Sequence, residues 1–227
     1  MSKFFARIIK HFLIKVHIRE IFRCEVDNVT FSYYYFWMKI KLWRKIGPPR
    51  ILSSGHGKSF GNQNFINPKN GTREEFSFFS GGKTVPVIVL PITLDKKIVV
   101  TRQFRHTANR IFIELPGGHK HPNESAITTA RRELLEETGF NAGKIIRLKT
   151  KKVWFEPGVF DTAYLPYIAI GCHQISEPTL DSTECIETIT IPIDKWLDMI
   201  SKGLITDNKT LALTLLALPY MGIKLKK

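Results

Sequence analysis

Three glutamates at helical spacing are the residues of this chain whose types and positions most clearly indicate chemistry. Glu133, Glu136 and Glu137 stand three and four residues apart, directly after Arg132. In a helix, residues at these spacings lie on one side, so the three carboxylates should crowd together and repel one another. Several carboxylate oxygens at close range suit Mg²⁺ or Mn²⁺ better than Zn²⁺, which prefers Cys and His ligands. The pattern therefore predicts a site for a divalent cation with these three glutamates as ligands.

The segment that carries these glutamates is predicted to be one helix, spanning residues 126–138. It contains no Gly or Pro, it is preceded by the turn or capping residues Pro122, Asn123 and Ser125, and Gly139 follows its end. Glu124 lies near the positive end of the helix dipole, and Arg132 would orient a neighbouring carboxylate. The apolar residues predict one core-facing stripe, which consists of Ala126, Ile127, Ala130, Leu134 and Leu135.

The wider spacing around the helix distinguishes it from an ordinary charged surface. Most runs of Glu and Arg are solvated helix faces, but here Gly118 and Glu124 precede the run and Gly139 follows it. The whole arrangement resembles the Nudix box, the signature of hydrolases that cut a diphosphate linked to a nucleoside. The resemblance implies an α/β fold, a Nudix α/β/α sandwich with a mixed β-sheet, plus a small N-terminal antiparallel sheet. It also implies Mg²⁺ as the cofactor, with Mn²⁺ as a substitute.

Motifs before the box narrow the resemblance to ADP-ribose pyrophosphatases and related hydrolases of nucleoside diphosphate sugars. Residues 101–105 look like a Gln-aromatic-Arg element whose Arg contacts the diphosphate, and Arg105 is the matching position. Residues 114–118 are similar to the Glu-x-Pro-Ala-Gly motif of that group, with Gly117 in place of Ala. The resemblance assigns Arg105 and Glu114 to substrate binding, and the backbone carbonyl of Gly117 to the metal.

Motifs after the box extend the same resemblance. Residues 156–158 resemble a Ser-Pro-Gly loop, which assigns Pro157 to substrate binding, although this proline lies slightly farther beyond the box than is usual. Residues 203–210 look like the C-terminal Gly-x-Ile-x-Asp-x-x-Thr motif of the group. The similarity therefore covers residues 38–220, and the flanking motifs are much less specific than the box.

The catalytic base is expected in the loop before the strand that begins at Ile186. The resemblance places a helper carboxylate there, and Glu184 is the matching residue. Some members carry a second acid two positions earlier, where this chain has Ser182, with Asp181 one residue further back. We expect Glu184 to accept the proton of the attacking water, with Asp181 as the alternative. Glu136 and Arg132 complete the catalytic set that the resemblance implies.

The implied reaction is Mg²⁺-dependent hydrolysis of ADP-ribose to AMP and ribose 5-phosphate, or of a related nucleoside diphosphate sugar. GDP-mannose and nucleoside triphosphates are alternative substrates, because the residues that recognise the base are not identified beyond Phe76 or Phe78 as stacking candidates. A non-catalytic Nudix-fold module that binds nucleotides or RNA is a further hypothesis. The complete set of box glutamates argues against a pure binder, and no RNA-binding signature is visible.

Composition is consistent with an enzyme of the cytoplasm. The 227 residues, 43% of them hydrophobic, can bury one substantial core with a small accessory sheet. Three cysteines without metal or redox spacing are expected to be reduced thiols. No apolar run approaches the roughly 18 residues that a membrane span requires. We expect a cytoplasmic protein whose partner is a small nucleoside diphosphate, and which forms a homodimer as the group commonly does.

Positive charge is concentrated at the N-terminus. The net charge is +14, and the first fifty residues hold eleven Lys or Arg and only three Asp or Glu. Residues 1–37 are predicted to be a basic amphipathic extension. It contacts a membrane surface weakly through residues 3–19, resembles an import sequence, docks on a partner, or lies upstream of the true start at Met38. Residues 38–83 are predicted to form a small β subdomain and residues 84–227 the Nudix domain. No nucleic-acid partner is expected.

The remaining elements are predicted to position the site. Pro48, Pro49 and residues 53–64 suggest loops, and residues 67–71 suggest a turn between short strands near Phe65 and at 75–79. The other expected strands cover residues 85–91, 97–104, 111–115, 145–148, 151–155, 163–171 and 186–191. Helices are expected at 193–201 and from a cap at Thr206 or Asp207 to about Leu218, so that helices cover both faces of a mixed sheet.

Overall fold

The computed structural model describes residues 41–55, 57–82, 84–182 and 184–223, so the predicted extension at 1–37 lies outside the described residues. The strands, numbered in chain order, are Arg44–Gly55 (β1), Lys58–Ile66 (β2), Arg73–Ser80 (β3), Val87–Thr93 (β4), Lys97–Arg105 (β5), Arg110–Glu114 (β6), Phe140–Asn141 (β7), Lys144–Arg147 (β8), Val153–Trp154 (β9), Ala163–Gln174 (β10) and Ile186–Pro192 (β11). The α-helices are Ala126–Thr138 (α1), Ile193–Ser201 (α2) and Asn208–Ala217 (α3).

The larger sheet is mixed, with strand order β11-β5-β4-β10-β7. Its central pair, β4 and β10, runs parallel with Val87 opposite Leu165, while β11 runs antiparallel to β5. β6 pairs with β5, and β8 and β9 pair with β10. Every residue of β4 is buried because the strand lies in the middle of the sheet with helices on both faces.

Alternation along β4 divides the core into two layers. Val87 and Val89 point to the face covered by α1, where they belong to one apolar cluster with Leu134. The intervening residues of β4 point to the opposite face and share a second cluster with Trp196 of α2 and Leu213 of α3. The predicted α/β/α sandwich is therefore confirmed.

The stretch that was expected to be loops instead forms β1 and β2. These strands pair antiparallel, and the register shifts between Ile46 and Arg50, so that Pro48 and Pro49 fall in an irregular part of the ladder. β1 is the edge strand of a three-stranded sheet in the order β1-β2-β3. Prolines are tolerated there because an edge strand needs donors on one side only. The loop prediction for residues 53–64 was wrong, since long-range pairing overrides a Gly- and Asn-rich composition.

The turn between β2 and β3 and the cap of α3 agree with prediction, whereas the buried face of α1 differs from it in part. The predicted turn at residues 67–71 joins β2 to β3 through a hydrogen bond from the Gly71 N–H to the Asn67 carbonyl, 2.9 Å long. Asp207 caps α3 by accepting a hydrogen bond from the Thr210 N–H at 3.0 Å. Ile127 was wrongly placed in the core-facing stripe of α1, because its side chain is about half exposed while Thr129 is buried.

The small sheet is joined to the larger domain by main-chain hydrogen bonds. The Phe79 N–H donates to the Val159 carbonyl at 2.8 Å, and the Asp161 N–H donates to the Phe79 carbonyl at 3.0 Å. Residues 159–161 therefore extend the free edge of β3, and the loop that carries Pro157 is fixed to the small sheet. Across the described ranges, no helix combines the length and apolarity that crossing a membrane would need.

Candidate active site

Local capping residues set the first and last residues of α1, the helix that carries Glu133, Glu136 and Glu137. The Ser125 hydroxyl accepts a hydrogen bond from the Thr128 N–H at 3.2 Å, and Gly139 ends the helix with a left-handed φ of 75°. These caps agree with the predicted bounds. Glu133 and Glu137 are consequently buried against the domain, each with 8% relative exposure.

Arg132 lies at the centre of the acids on this face. Its guanidinium contacts Glu124 at 3.0 Å, Glu133 at 2.9 Å and Glu136 at 2.7 Å. It also donates to the His119 carbonyl at 2.9 Å, which ties the helix to the preceding loop. The hydrogen bonds from Arg132 outweigh desolvation and lower the pKa of Glu124 to about 2. Arg132 thus orients several carboxylates at once, a use for which its five fixed donors are suited.

Glu133 and Glu137 are destabilised as anions by their surroundings. Burial raises the pKa of Glu133 to about 7, with further contributions from Glu136 and Glu184. Burial likewise raises the pKa of Glu137 to about 8, with Glu133 and Glu184 adding to the effect. A cation would stabilise the ionised form of these two buried carboxylates, so together they are a candidate cation site.

The Gly117–Gly118 turn closes against these two carboxylates. The Gly117 N–H donates to Glu137 at 2.9 Å. A Cβ at Gly118 would stand 2.4 Å from a carboxylate oxygen of Glu133, so any larger residue there would displace the end of that side chain. A Cβ at Gly117 would stand 2.2 Å from the Val87 carbonyl, which explains why this turn carries Gly where Ala was expected from the resemblance.

The carbonyl of Gly117 is available as a ligand. On either side of it, the Pro116 and Gly118 carbonyls accept hydrogen bonds from Val89 and Val87 at 2.9 Å. The Gly117 carbonyl accepts none from the part of the chain that the structure describes. Extended backbone directs alternate carbonyls to opposite sides, so this one points away from β4.

The carboxylates do not form a ready-made metal cage. Among the described residues, no group of three or more His, Cys, Asp or Glu side chains is arranged to hold a metal ion. Arg132 occupies oxygens of Glu133 and Glu136, and the Gly117 N–H occupies one of Glu137. The donor set still fits a hard divalent cation, because buried carboxylates with raised pKa values gain from a positive charge.

A second ionic group lies beside this turn. Arg105 contacts Glu114 through two parallel hydrogen bonds of 2.7 and 2.6 Å, and Lys209 donates to the same carboxylate at 2.9 Å. Burial alone would raise the pKa of Glu114, but these two cations outweigh it and hold the pKa below its usual range. The predicted partners Arg105 and Glu114 are therefore in contact. Lys209 was not among the predicted site residues, because its pairing with Glu114 spans 95 residues of sequence.

The loop that carries Glu184 is attached to the C-terminal end of α1. The Thr179 N–H donates to the Glu136 carbonyl at 2.7 Å, and the Thr188 hydroxyl donates to the Glu137 carbonyl at 3.1 Å. Glu184 is close enough to raise the pKa values of both buried box glutamates. Asp181, the alternative base, is exposed, and it contacts Glu184 through its backbone N–H at 3.0 Å.

Pro157 lies at a different part of the surface. It lines a cavity of about 570 Å³ between the small sheet and residues 157–161, together with Phe76 and Phe78. Trp43 stands edge-on to Phe76 there, with ring centroids 5.3 Å apart. None of the carboxylates of the α1 cluster lines this cavity. The structure therefore groups Pro157 with the aromatic residues of the small sheet.

Comparison with known proteins agrees with these features. Residues 82–201 match the family described as NUDIX domain. An ADP-ribose pyrophosphatase of Bacillus subtilis is 30% identical over 139 residues, 61% of this chain and 72% of that protein. A methanol dehydrogenase activator of Bacillus methanolicus matches with the same identity and coverage.

A solved structure shares the fold at lower sequence identity. A crystal structure of an ADP compounds hydrolase has a TM-score of 0.65 and 20% identity, and covers 78% of this chain and 96% of that one. The likeness shows a shared fold. Because the family match spans more than half of the sequence and the Bacillus subtilis relative is covered over most of its length, the chain belongs to the Nudix family of pyrophosphohydrolases.

Proposed function

We propose that this enzyme hydrolyses the diphosphate bond of ADP-ribose, or of a closely related nucleoside diphosphate sugar, in a Mg²⁺-dependent reaction. The products from ADP-ribose would be AMP and ribose 5-phosphate. The observation that carries the proposal is the convergence of Glu133 and Glu137 on the Gly117–Gly118 turn, with Glu184 nearby. The name of the Bacillus subtilis relative supports the choice of ADP-ribose.

Glu133, Glu136, Glu137 and the Gly117 carbonyl would hold Mg²⁺, with Mn²⁺ as a substitute. When bound, such an ion neutralises phosphate oxygens and lowers the pKa of a water molecule. The side chains themselves fit this assignment because two are buried and already favour loss of negative charge. The exposed carboxylate of Glu136 is free to change partner from Arg132, since its side chain is 41% exposed.

The protein residues have separate roles in the proposed reaction. Glu184 accepts the proton of the attacking water, and its loop is held at the end of α1 for that purpose. Arg132 keeps the box carboxylates in place through its multiple contacts. Arg105 donates to the diphosphate through the N–H groups that do not contact Glu114.

The aromatic cavity beside Pro157 is proposed to receive the nucleoside. Phe76 is half exposed and Phe78 lines the same wall, so a flat base can stack there with little rearrangement. The main-chain hydrogen bonds of Phe79 hold the Pro157 loop against the sheet. Base selection would then depend on this sheet, and the bond that is cut would depend on α1.

The setting of the enzyme is also part of the proposal. We propose a cytoplasmic homodimer that acts on a small molecule and not on nucleic acid. Exposed apolar residues on the small sheet, including Ile51 and Leu52 of its edge strand, support self-association. Cys172 and Cys185 are free thiols, which is consistent with a reducing compartment.

A substrate panel tests the proposal. Purified protein would be incubated with Mg²⁺ and ADP-ribose, other nucleoside diphosphate sugars, GDP-mannose or nucleoside triphosphates, and the products separated by anion exchange. ADP-ribose or a related nucleoside diphosphate sugar should give the highest kcat/KM. Preference for GDP-mannose or triphosphates would replace the proposed substrate class, and no hydrolysis of any compound would favour a binding module.

A further inference from the structure

The first turn of α3 contacts three separate parts of the candidate active site. Asn208 donates to the Phe155 carbonyl at 3.0 Å, at the base of the Pro157 loop. Lys209 donates to Glu114 at 2.9 Å, and the Thr210 hydroxyl accepts the Leu115 N–H at 3.1 Å, just before the Gly117 turn. This turn belongs to the C-terminal motif, to which the proposed reaction assigns no role.

The Glu114 carboxylate links this turn to Arg105. Its side chain is only 3% exposed, and its Oε2 accepts hydrogen bonds from both Arg105 at 2.6 Å and Lys209 at 2.9 Å. A buried carboxylate with a single cationic partner would bind that partner tightly and cancel its charge. With two cations on one oxygen, Lys209 shares the negative charge of Glu114 with Arg105. Asp207, 3.4 Å from Lys209, brings these four side chains to formal neutrality.

The two cations differ in their access to solvent. The Arg105 side chain is 45% exposed, whereas the Lys209 side chain is 20% exposed. Two N–H groups of Arg105 point to Glu114, and the remaining donors of its guanidinium are available to an anion. Lys209, in contrast, directs its ammonium group between Glu114 and Asp207. Arg105 is therefore placed to bind an anion, and Lys209 is placed to support Arg105.

We propose that Lys209 is a positioning residue for Arg105. By sharing Glu114, Lys209 offsets part of the negative charge of the buried carboxylate, so that Arg105 attracts the diphosphate of the substrate more strongly. This inference rests on the proposed function, which assigns Arg105 to the diphosphate. It gives the C-terminal motif a role in substrate binding without direct contact between Lys209 and the substrate.

Binding of methylenediphosphonate, a diphosphate that cannot be hydrolysed, tests the inference without turnover. In calorimetry with Mg²⁺ present, Lys209→Met should bind the probe about tenfold more weakly than wild type. Lys209→Gln, which keeps a donor but no charge, should show the same loss, and Lys209→Arg should restore affinity to within about threefold. The KM for the preferred nucleotide substrate should rise with the loss of affinity, while kcat changes less than about threefold.

The control for this series is Lys202→Met. Lys202 directly follows α2 and forms an exposed ion pair with Asp198, so its loss should leave probe affinity unchanged. Thermal unfolding of each variant separates loss of folding from loss of binding. Unchanged affinity in both neutral Lys209 variants would overturn the inference.

A double-mutant cycle distinguishes positioning from direct contact. In a Glu114→Gln background the carboxylate that Lys209 shares with Arg105 is absent, so Lys209→Met should change probe affinity by less than about twofold. An equal loss in both backgrounds would overturn the proposal and make Lys209 a direct ligand. A further outcome is that wild-type protein binds the probe and yet hydrolyses no compound of the panel. That result would contradict only the proposed function, because the binding comparison would still decide the role of Lys209.

Discussion

At the scale of single residues, the site is dominated by two buried carboxylates that resist ionisation. The pKa values of Glu133 and Glu137 are raised to about 7 and about 8, mainly by burial. Near neutral pH these residues are poised between the acid and its anion. A divalent cation would displace the remaining protons, so its affinity should increase as pH rises through this range.

The same shift predicts how the stability of the metal-free protein depends on pH. The folded-state pKa of Glu137 lies above its unfolded value, so the folded state binds more protons and loses stability as pH rises from about 5 to about 8. Glu137→Gln imitates the protonated form and should escape this loss. In EDTA, its Tm should exceed that of wild type by at least about 3 °C near pH 8 and match it near pH 5.

Two additions to this experiment make it decisive. Glu177→Gln removes an exposed carboxylate and should follow wild type at every pH. Excess Mg²⁺ should raise the Tm of wild type near pH 8 and leave Glu137→Gln nearly unchanged. A constant Tm difference between Glu137→Gln and wild type across pH would show that burial of Glu137 does not govern the site.

The proposed base is tested by Glu184→Gln. Because the carboxamide cannot accept the proton, kcat should fall at least about a hundredfold with little change in Tm. Glu187→Gln is the matched control, since Glu187 follows in the same segment and forms an exposed ion pair with Arg102. A decrease in kcat of less than about tenfold would remove Glu184 from the base role.

Residues of the site differ in how well the sequence predicts them. Glu133, Glu136 and Glu137 share one short helix, so their spacing alone predicts that they lie together. Lys209 meets Glu114 only because the first turn of α3 lies at the end of β6 in the folded domain, across 95 residues of sequence. No local signal carries that contact. Ile127 was predicted to be buried but is about half exposed, because helical spacing does not define the edge of a buried stripe.

At the scale of elements, α1 and the Gly117–Gly118 turn form one unit. The space between them is set by the lack of a side chain at Gly118, where a Cβ would collide with Glu133. The bounds of α1 were predictable because Ser125 and Gly139 act locally. β1 and β2 were not predictable, because their strands depend on pairing partners and contain Pro, Gly and Asn.

Gly118→Ala tests this unit. The added methyl group should displace the Glu133 carboxylate, reducing kcat/KM at least about tenfold and raising the Mg²⁺ concentration needed for half-maximal activity. Gly143→Ala is the control, since a Cβ there would make ordinary contacts no closer than 3.4 Å. Activity of Gly118→Ala equal to that of Gly143→Ala would contradict the close packing of α1 on the turn.

At the scale of the whole molecule, the small sheet leaves an apolar edge exposed. Leu52 on β1 is 49% exposed, and an edge strand of this kind favours pairing with another chain. Sedimentation equilibrium should give the mass of a dimer for wild type. Leu52→Lys should shift the equilibrium to monomer, whereas Leu94→Lys, in an exposed turn of the larger domain, should not. If wild type is a monomer at micromolar concentration, the dimer proposal is wrong, and the small sheet covers the site of its own chain.

We propose that the carboxylates of α1 serve a Mg²⁺-dependent attack on the diphosphate of ADP-ribose. The most direct measurement is ³¹P NMR of ADP-ribose incubated with wild type or Glu137→Gln. Wild type with Mg²⁺ should convert the diphosphate resonances into those of AMP and ribose 5-phosphate without inorganic phosphate, and either EDTA or Glu137→Gln should prevent it. Persistent diphosphate signals with wild type and Mg²⁺, or equal hydrolysis by Glu137→Gln, would contradict the account.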